Sequence, residues 1–122
     1  MKPRIDATAF GSITVDGTVF EHDVIIRPNG RVKKRKKKLS KAVYGTSHMI
    51  SIDEATDLYQ QAPDVRRLII GSGQHGNVEL SPEAAAYVKE RKWDVVLLPT
   101  PQAIKAWNGA GSRTLGLFHV TC

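Results

Sequence analysis

Three strand-like runs, separated by two segments that open with helix-start signals, constrain the fold of this chain most. The runs are 68–70, 95–98 and 115–121. Ser81 and Thr100 each stand directly before a proline, an arrangement typical of a capped first helical turn. Apolar strands that alternate with helices predict parallel βαβ units with right-handed crossovers and helices on the faces of the sheet. The second half of the chain therefore predicts an α/β sheet.

The predicted helices of this half have readable ends. Ser51 followed by Glu54 is a capping box, which predicts a helix of about ten residues that stops before Pro63. The proline-containing starts predict two more helices, over 81–92 and 100–109. The predicted order is therefore one helix before the first apolar strand and one helix between each two successive apolar strands.

The first half of the chain is predicted to be β-rich. Asp16 and Gly17 separate two short alternating runs, and both residue types tolerate the positive φ that a tight hairpin turn needs. A second hairpin is predicted at 27–30, where proline, asparagine and glycine suit a turn between 24–26 and 31–32. These hairpins are expected either to extend the predicted sheet or to flank it.

Composition indicates one soluble domain over residues 1–122. Hydrophobic residues make up 41% and charged residues 25%, which is ordinary for a globular protein. No apolar run has the length of a membrane span, and the first residues lack the apolar core of a signal peptide. The single cysteine, Cys122, cannot form an internal disulfide, so we expect a cytoplasmic location.

The basic character of the chain comes from one short segment. The formal net charge is +6, from 18 Lys+Arg against 12 Asp+Glu. Six of the cations are consecutive: Lys33, Lys34, Arg35, Lys36, Lys37 and Lys38. Three interpretations are open. The run is an edge strand whose lysines block edge-to-edge pairing with another sheet, or it contacts nucleic-acid phosphates, or it contacts an acidic protein or membrane surface.

Four short motifs, in order, carry a resemblance to a known family. They are Tyr44-Gly45-Thr46-Ser47-His48, Ile69-Ile70-Gly71-Ser72-Gly73, Thr100-Pro101-Gln102-Ala103 with Trp107-Asn108, and Phe118-His119-Val120-Thr121-Cys122. This order resembles the small α/β family that contains the adipogenesis-associated domain protein and, more distantly, mitochondrial complex I assembly factor 3. The first and last motifs are most similar to the adipogenesis-associated branch. The lysine run departs from the family pattern.

The resemblance spans nearly the whole chain and implies both a fold and a role. The fold is a single layered α/β domain with a mixed central β-sheet, flanking helices and an N-terminal β-hairpin layer. The implied role is a non-enzymatic interaction, assembly or regulatory module with a protein partner. Two alternatives stay open: a nucleic-acid-associated protein that uses the lysine run, and an unidentified enzyme.

The most site-like segment is the glycine-rich stretch that follows the strand at 68–70. Ligands of open α/β sheets bind beyond the carboxyl ends of strands, but the spacing fits neither the dinucleotide nor the P-loop fingerprint. The alternative is a turn whose glycines supply positive φ. If histidines from elsewhere converge on this stretch, the predicted ligand pocket consists of Thr46, His48, Gly71, Ser72, Gly73 and His119.

The sequence predicts no catalytic residue, cofactor or metal site. His119 and Cys122 fall on opposite faces of a regular strand, and no paired-His or Cys-x-x-Cys set is present. Cys122 stands beside a terminal carboxylate, which disfavours the reactive thiolate. Asp53 and Glu54 are interpreted as capping residues of the first predicted helix.

Overall fold

The computed structural model describes residues 2–122, which form ten strands and four helices. The strands are β1 (Ile5–Ala9), β2 (Ser12–Val15), β3 (Thr18–Phe20), β4 (Val24–Ile26), β5 (Val32–Lys34), β6 (Met49–Ile50), β7 (Arg67–Ser72), β8 (Glu79–Leu80), β9 (Asp94–Leu98) and β10 (Thr114–His119). The helices are α1 (Lys38–Tyr44), α2 (Ile52–Gln61), α3 (Pro82–Glu90) and α4 (Thr100–Gly109). No helix within 2–122 has the length and apolar character that crossing a bilayer requires.

A mixed five-stranded sheet forms the centre of the molecule, in the order β5-β4-β10-β7-β9. Strands β10, β7 and β9 are mutually parallel, while β4 pairs antiparallel with β10 and β5 pairs antiparallel with β4. Helix α3 connects β7 to β9, and α4 connects β9 to β10. The prediction of βαβ units and of a mixed central sheet is confirmed.

The two predicted hairpins belong to different sheets. The first, β2–β3, turns at Asp16 and Gly17, whose φ angles of 47° and 80° are both positive. With β1 it forms a separate three-stranded antiparallel sheet that flanks the centre. The second, β4–β5, joins the central sheet and extends it. Each of the two expected outcomes therefore applies to one hairpin.

Successive side chains of the central strands point into two separate cores. Ile70 of β7 and Leu117 of β10 pack with α2 and α3, in a core that includes Leu58. Ile69 and Phe118, one residue along each strand, pack with α4 and with the three-stranded sheet. This alternation follows from the two-residue period of a strand, and it makes β10 a strand buried on both faces.

All three predicted helices form, but only two of their three predicted N-caps are confirmed. The hydroxyls of Ser51 and Ser81 accept the amides of Glu54 and Ala84, as N-caps do. Thr100, in contrast, is the first residue of α4, and its hydroxyl donates to the His119 carbonyl at 2.7 Å. A buried tertiary hydrogen bond therefore takes the side chain that was expected to cap the helix.

Several short elements were not predicted, and two boundaries shift. Strand β1, helix α1 and the two-residue pair β6–β8 have weak local signals; α1 is cationic and has no acidic residue in its first turn. Helix α3 ends at Glu90, before the expected boundary at Lys92, because Lys92 adopts a positive φ of 59°. Strand β10 ends at His119, two residues before Thr121.

Gly116 of β10 provides a test of how tightly the second core is packed. A β-carbon at this position would lie 2.5 Å from the Phe118 ring and 2.9 Å from the Trp107 ring, so Gly116→Ala overpacks the core. We expect a loss of about 1–3 kcal/mol in the free energy of unfolding. Gly109→Ala is the matched control, since a β-carbon there meets no atom within 4 Å. Urea denaturation of both variants measures the difference; equal effects would contradict this packing.

Candidate functional site

The guanidinium of Arg35 is buried at the junction of three structural elements. Its side chain is 0% exposed. Nε and Nη2 donate to the two carboxylate oxygens of Glu54 at 2.6 and 3.0 Å, and Nη1 donates to Asp23 at 2.9 Å. Nη2 also donates to the Ser47 carbonyl at 2.8 Å. Paired carboxylates on both sides make this burial of a cation tolerable.

The network continues from Arg35 through Asp23 into the end of β10. The same Asp23 oxygen that binds Arg35 lies 2.7 Å from Nδ1 of His119, and its other oxygen accepts the Val120 amide at 2.9 Å. Nε2 of His119 lies 3.0 Å from the Thr121 hydroxyl. Both ring nitrogens of His119 are therefore engaged within the fold.

Burial and hydrogen-bonding partners shift the pKa of Asp23 in opposite directions. Burial by itself would raise the pKa of this carboxyl, because it disfavours the charged form. The hydrogen bonds from His119 and from the Val120 amide, together with the attraction of His119 and Arg35, outweigh burial and lower the pKa to about 2. Asp23 is thus a carboxylate at neutral pH.

The interpretation of Asp53 and Glu54 as capping residues is wrong for the Glu54 side chain. Its carboxylate does not reach back to the Ser51 amide, which instead donates to the Ser40 hydroxyl at 2.9 Å. The Glu54 carboxylate accepts from Arg35 and from the Ser40 hydroxyl, at 2.5 Å. Only the Ser51 half of the capping box forms, because the buried guanidinium competes for the glutamate. Asp53 lies exposed in the first turn of α2.

The basic run is divided between solvent and interior. Lys33 and Lys34 lie exposed on β5, which is an edge strand of the central sheet. Lys36 is exposed and pairs with Asp57 at 3.2 Å. Arg35 points inward, so its inclusion among the phosphate- or partner-contacting residues was wrong. In a run of similar residues, no local signal indicates which one is buried. Which residue is buried depends on partners distant in sequence.

Five of the six predicted pocket residues lie at one corner of the sheet. The rings of His48 and His119 meet edge to face with centroids 5.5 Å apart, and the Thr46 hydroxyl accepts the His48 amide at 3.1 Å. Ser72 stands opposite His119 in the parallel register, and Gly73 packs against the His119 ring. The sixth residue, Gly71, faces the opposite side of the sheet, against Phe118 and Thr100.

Most polar atoms at this corner, including both ring nitrogens of His119, are hydrogen bonded within the chain. The Ser72 hydroxyl is buried and finds no hydrogen-bond partner among the described residues. Within 2–122 no three His, Cys, Asp or Glu side chains are grouped so as to hold a metal ion. Chemically, the corner can bind or position a small polar group where Thr46, His48 and Thr121 are partly exposed.

The glycine-rich stretch holds the last residues of the chain. Gly73 and Gly76 have φ angles of 103° and 71°, which side-chain-bearing residues rarely adopt. The Gln74 amide donates to the Thr121 carbonyl at 2.7 Å, and the amides at 75 and 77 both donate to a Cys122 oxygen at 3.2 Å. These amides therefore serve the fold, as in the turn alternative, and are not directed at a phosphate.

A second candidate surface lies at the far edge of the sheet, and sequence reasoning missed it. β9 pairs only with β7, so its outer edge is unpaired among the described strands. Leu97 of this strand is 36% exposed. The first two residues of β9 line a cavity of about 460 Å³, whose lining consists of Leu80, Ala85, Val88, Lys89, Lys92, Trp93, Asp94 and Val95. The apolar run was visible in the sequence, but its place at an edge was not.

Fold and site together define a small layered α/β domain, with a mixed five-stranded sheet braced by a buried ion network. A family model described as "Protein of unknown function (DUF498/DUF598)" matches residues 5–114. The chain belongs to this family.

Several solved structures have the same architecture, two of them at 34% identity. The conserved hypothetical protein PH1505 from Pyrococcus horikoshii is 34% identical, with a TM-score of 0.89 over 98% of this chain and 99% of its own. The protein MT938 is also 34% identical, with a TM-score of 0.81 over 99% of this chain and 100% of its own. XCC1710 from Xanthomonas campestris, at 13% identity, shares the fold with a TM-score of 0.74, over 98% and 86% of the two chains.

Replacement of Arg35 tests the importance of the buried network. Arg35→Met leaves the carboxylates of Asp23 and Glu54 buried without their cation, so we expect a loss of about 3–5 kcal/mol in the free energy of unfolding. Lys33→Met, in the same run but exposed, should change it by less than about 0.5 kcal/mol. Chemical denaturation measures both. Similar small losses in the two variants would show that the ion network does not hold the fold together.

The lowered pKa of Asp23 predicts acid sensitivity. Its pKa is about 2 in the folded chain against an ordinary 3.8, so the unfolded state takes up the proton first as pH falls. The stabilisation is present above about pH 4 and lost as pH approaches 2, by about 2 kcal/mol in total. Carbon NMR titration of the Asp23 carboxyl, alongside urea denaturation across this range, measures both quantities. A midpoint near the ordinary value would contradict the network.

Proposed function

We propose that this protein is a non-enzymatic interaction module that binds another protein through the outer edge of β9. The observation that carries the proposal is an unpaired apolar strand edge, among the described strands, beside an apolar cavity. An extended segment that adds to such an edge gains main-chain hydrogen bonds, and a neighbouring cavity selects its side chains. Trp93, directly before β9, and Val95, on β9, contribute to the apolar lining of this cavity.

The contrast between the two sheet edges supports this choice. Lysines on an edge strand discourage pairing with other chains, and β5 carries Lys33 and Lys34. β9 contains neither lysine nor proline, and its sequence is Asp-Val-Val-Leu-Leu. One edge of the sheet is thus protected by charge, whereas the other keeps the features that strand addition needs.

The corner formed by His48 and His119 supports an enzyme less well. His119 is 2% exposed, and both of its ring nitrogens are hydrogen bonded within the chain. The loop amides that an anionic substrate would need are bound to the residues at 121 and 122. These contacts favour a structural role for the corner.

A closer placement within the family is part of the proposal. The Gly45-Thr46-Ser47-His48 segment and the Phe118-His119-Val120-Thr121-Cys122 segment resemble the adipogenesis-associated branch, and more distantly mitochondrial complex I assembly factor 3. That likeness favours an assembly or regulatory role, and the single cysteine, Cys122, favours a cytoplasmic location. In such a role the β9 edge would hold a segment of a client or partner protein.

Site-specific photo-cross-linking tests the β9 surface. A photoreactive amino acid replaces Leu97 on β9 or, as a control, Val43, which is 53% exposed on α1. We expect a discrete cross-linked partner only from position 97. Binding of that purified partner should weaken at least about tenfold with Leu97→Lys, because a charge then lies on the apolar edge.

Val43→Lys should leave partner affinity unchanged, and both lysine variants should unfold near the wild-type temperature because both positions are exposed. Equal cross-linking from the two positions, or affinity unaffected by Leu97→Lys, would contradict an interaction at the β9 edge.

A second candidate function is phosphate binding by the lysines of the basic run. The observation in its favour is the anchoring of Arg35, which fixes the segment from inside while its neighbours face solvent. A fixed row of cations can contact a nucleic-acid backbone without reading its sequence. The contacting residues in this alternative are Lys33, Lys34, Lys36, Lys37 and Lys38.

Salt-dependent binding of mixed-sequence DNA tests this alternative. A Lys34→Gln, Lys37→Gln and Lys38→Gln triple variant should lower affinity equally for all sequences. The slope of log K against log salt should flatten by about 0.9 for each phosphate that the variant no longer neutralises. Lys89→Gln with Lys92→Gln, on α3 and two residues after its end, is the control. An unchanged slope in the triple variant would exclude this use of the run.

A further inference from the structure

We propose that the partner of the β9 edge is an extended, acidic and apolar segment of another protein. Its apolar side chains occupy the cavity beside Trp93, and its carboxylates bind an arginine cluster at the amino end of β9. This inference rests on the proposed function, since it gives the chemistry of the segment that the same edge would bind. It is carried by a second cavity, by its position next to the first, and by their charge.

The arginine cluster lies where β7, β9 and β10 begin. A cavity of about 250 Å³ is lined there by Arg66, Arg67, Asp94, Gly111, Arg113 and Thr114. Arg66 and Arg67 are neighbours in sequence, while Arg113 comes from the loop before β10. The carbonyl of Arg113 accepts the amides of both Arg66 and Arg67, at 3.1 and 3.4 Å, which holds the three backbones together.

The cluster carries more positive charge than the fold itself uses. Arg67 binds Asp94 through Nε at 3.0 Å and through Nη2 at 2.9 Å. Arg113 donates from Nη2 to the carbonyl of Asp64, which is neutral. Three arginines therefore line the cavity with a single carboxylate, and that carboxylate binds Arg67. Planar guanidinium groups bind carboxylates in pairs of parallel hydrogen bonds, so an acidic side chain fits this cavity well.

The two cavities adjoin at the amino end of β9. Asp94, the first residue of β9, lines both of them. The three arginines come from the starts of β7 and β10, the strands inside β9 in the sheet. Trp93 and Val95 line the apolar cavity together with Lys89 and Lys92. An extended chain paired with β9 therefore has an apolar cavity and a cationic one within reach at the amino end of that strand. Its matching sequence combines apolar residues with Asp or Glu.

Two other occupants fit the same surface less well. A second copy of this chain would offer only Asp94 as an acidic residue of its own β9, and Arg67 already binds that carboxylate. A nucleic acid would satisfy the arginines, but it would leave the apolar cavity and the unpaired strand edge without partners. Charge complementarity, together with apolar complementarity, favours the acidic segment.

Selection from a displayed library of random peptides tests the proposal on the full chain. We expect enriched peptides that combine apolar residues with Asp or Glu. Binding of a labelled enriched peptide should weaken about tenfold with Arg66→Gln plus Arg113→Gln, since its carboxylates then face two neutral side chains in place of two cations. Lys33→Gln plus Lys34→Gln, on the opposite edge, removes the same charge and should leave the affinity unchanged.

The remaining outcomes separate this proposal from the one it rests on. Enriched peptides that are neutral or basic, weakened by Leu97→Lys but not by the arginine variant, would overturn the acidic partner and leave the β9 edge in place. Enrichment that Leu97→Lys does not affect, or no enrichment, would overturn both. Concentration-dependent dimerisation abolished by Leu97→Lys would show a second copy and overturn the acidic segment. Single-stranded RNA that binds the arginine cluster and displaces the peptides would overturn the proposal in favour of nucleic acid.

Discussion

The buried guanidinium of Arg35 is the group on which the arrangement of this domain depends most. It joins Asp23 before β4, the Ser47 carbonyl before β6 and Glu54 on α2, and through Asp23 it reaches His119 at the end of β10. A buried ion network of this kind adds little net stability over apolar packing, but removal of one member is costly. Its clearest effect is to fix how the second hairpin and α2 sit against the central strand.

The two edges of the central sheet differ in character, and the inward turn of Arg35 contributes at one of them. Because Arg35 turns inward directly after β5, the lysines around it face solvent and protect that edge from association. β9, at the other edge, has no such run and ends in the apolar pair Leu97 and Leu98. Within the central sheet, one edge is thus protected and the other is open to strand addition, which is the physical basis for the proposed interaction role.

Much of the second half of the fold could be predicted from local patterns. The caps at Ser51 and Ser81 set two helix starts, and the apolar runs set the strands, because these signals act within a few residues. The candidate sites were harder to predict. His48 and His119 meet, yet Gly71, only one residue from Ser72, lies on the opposite face of the sheet. The inward turn of Arg35 gave no local signal at all.

The sequence by itself determined the βαβ order, the two tight hairpins and the excess of positive charge in one run, because turn chemistry, helix capping and apolar periodicity are local properties. Only the tertiary structure decided which strand became the central one, which edge stayed open, and which cation was buried. Those outcomes depend on pairing between residues far apart, such as Arg35 with Glu54 or Arg66 with Arg113. Such pairs form only once the chain has folded, so their energies leave no pattern in neighbouring residues.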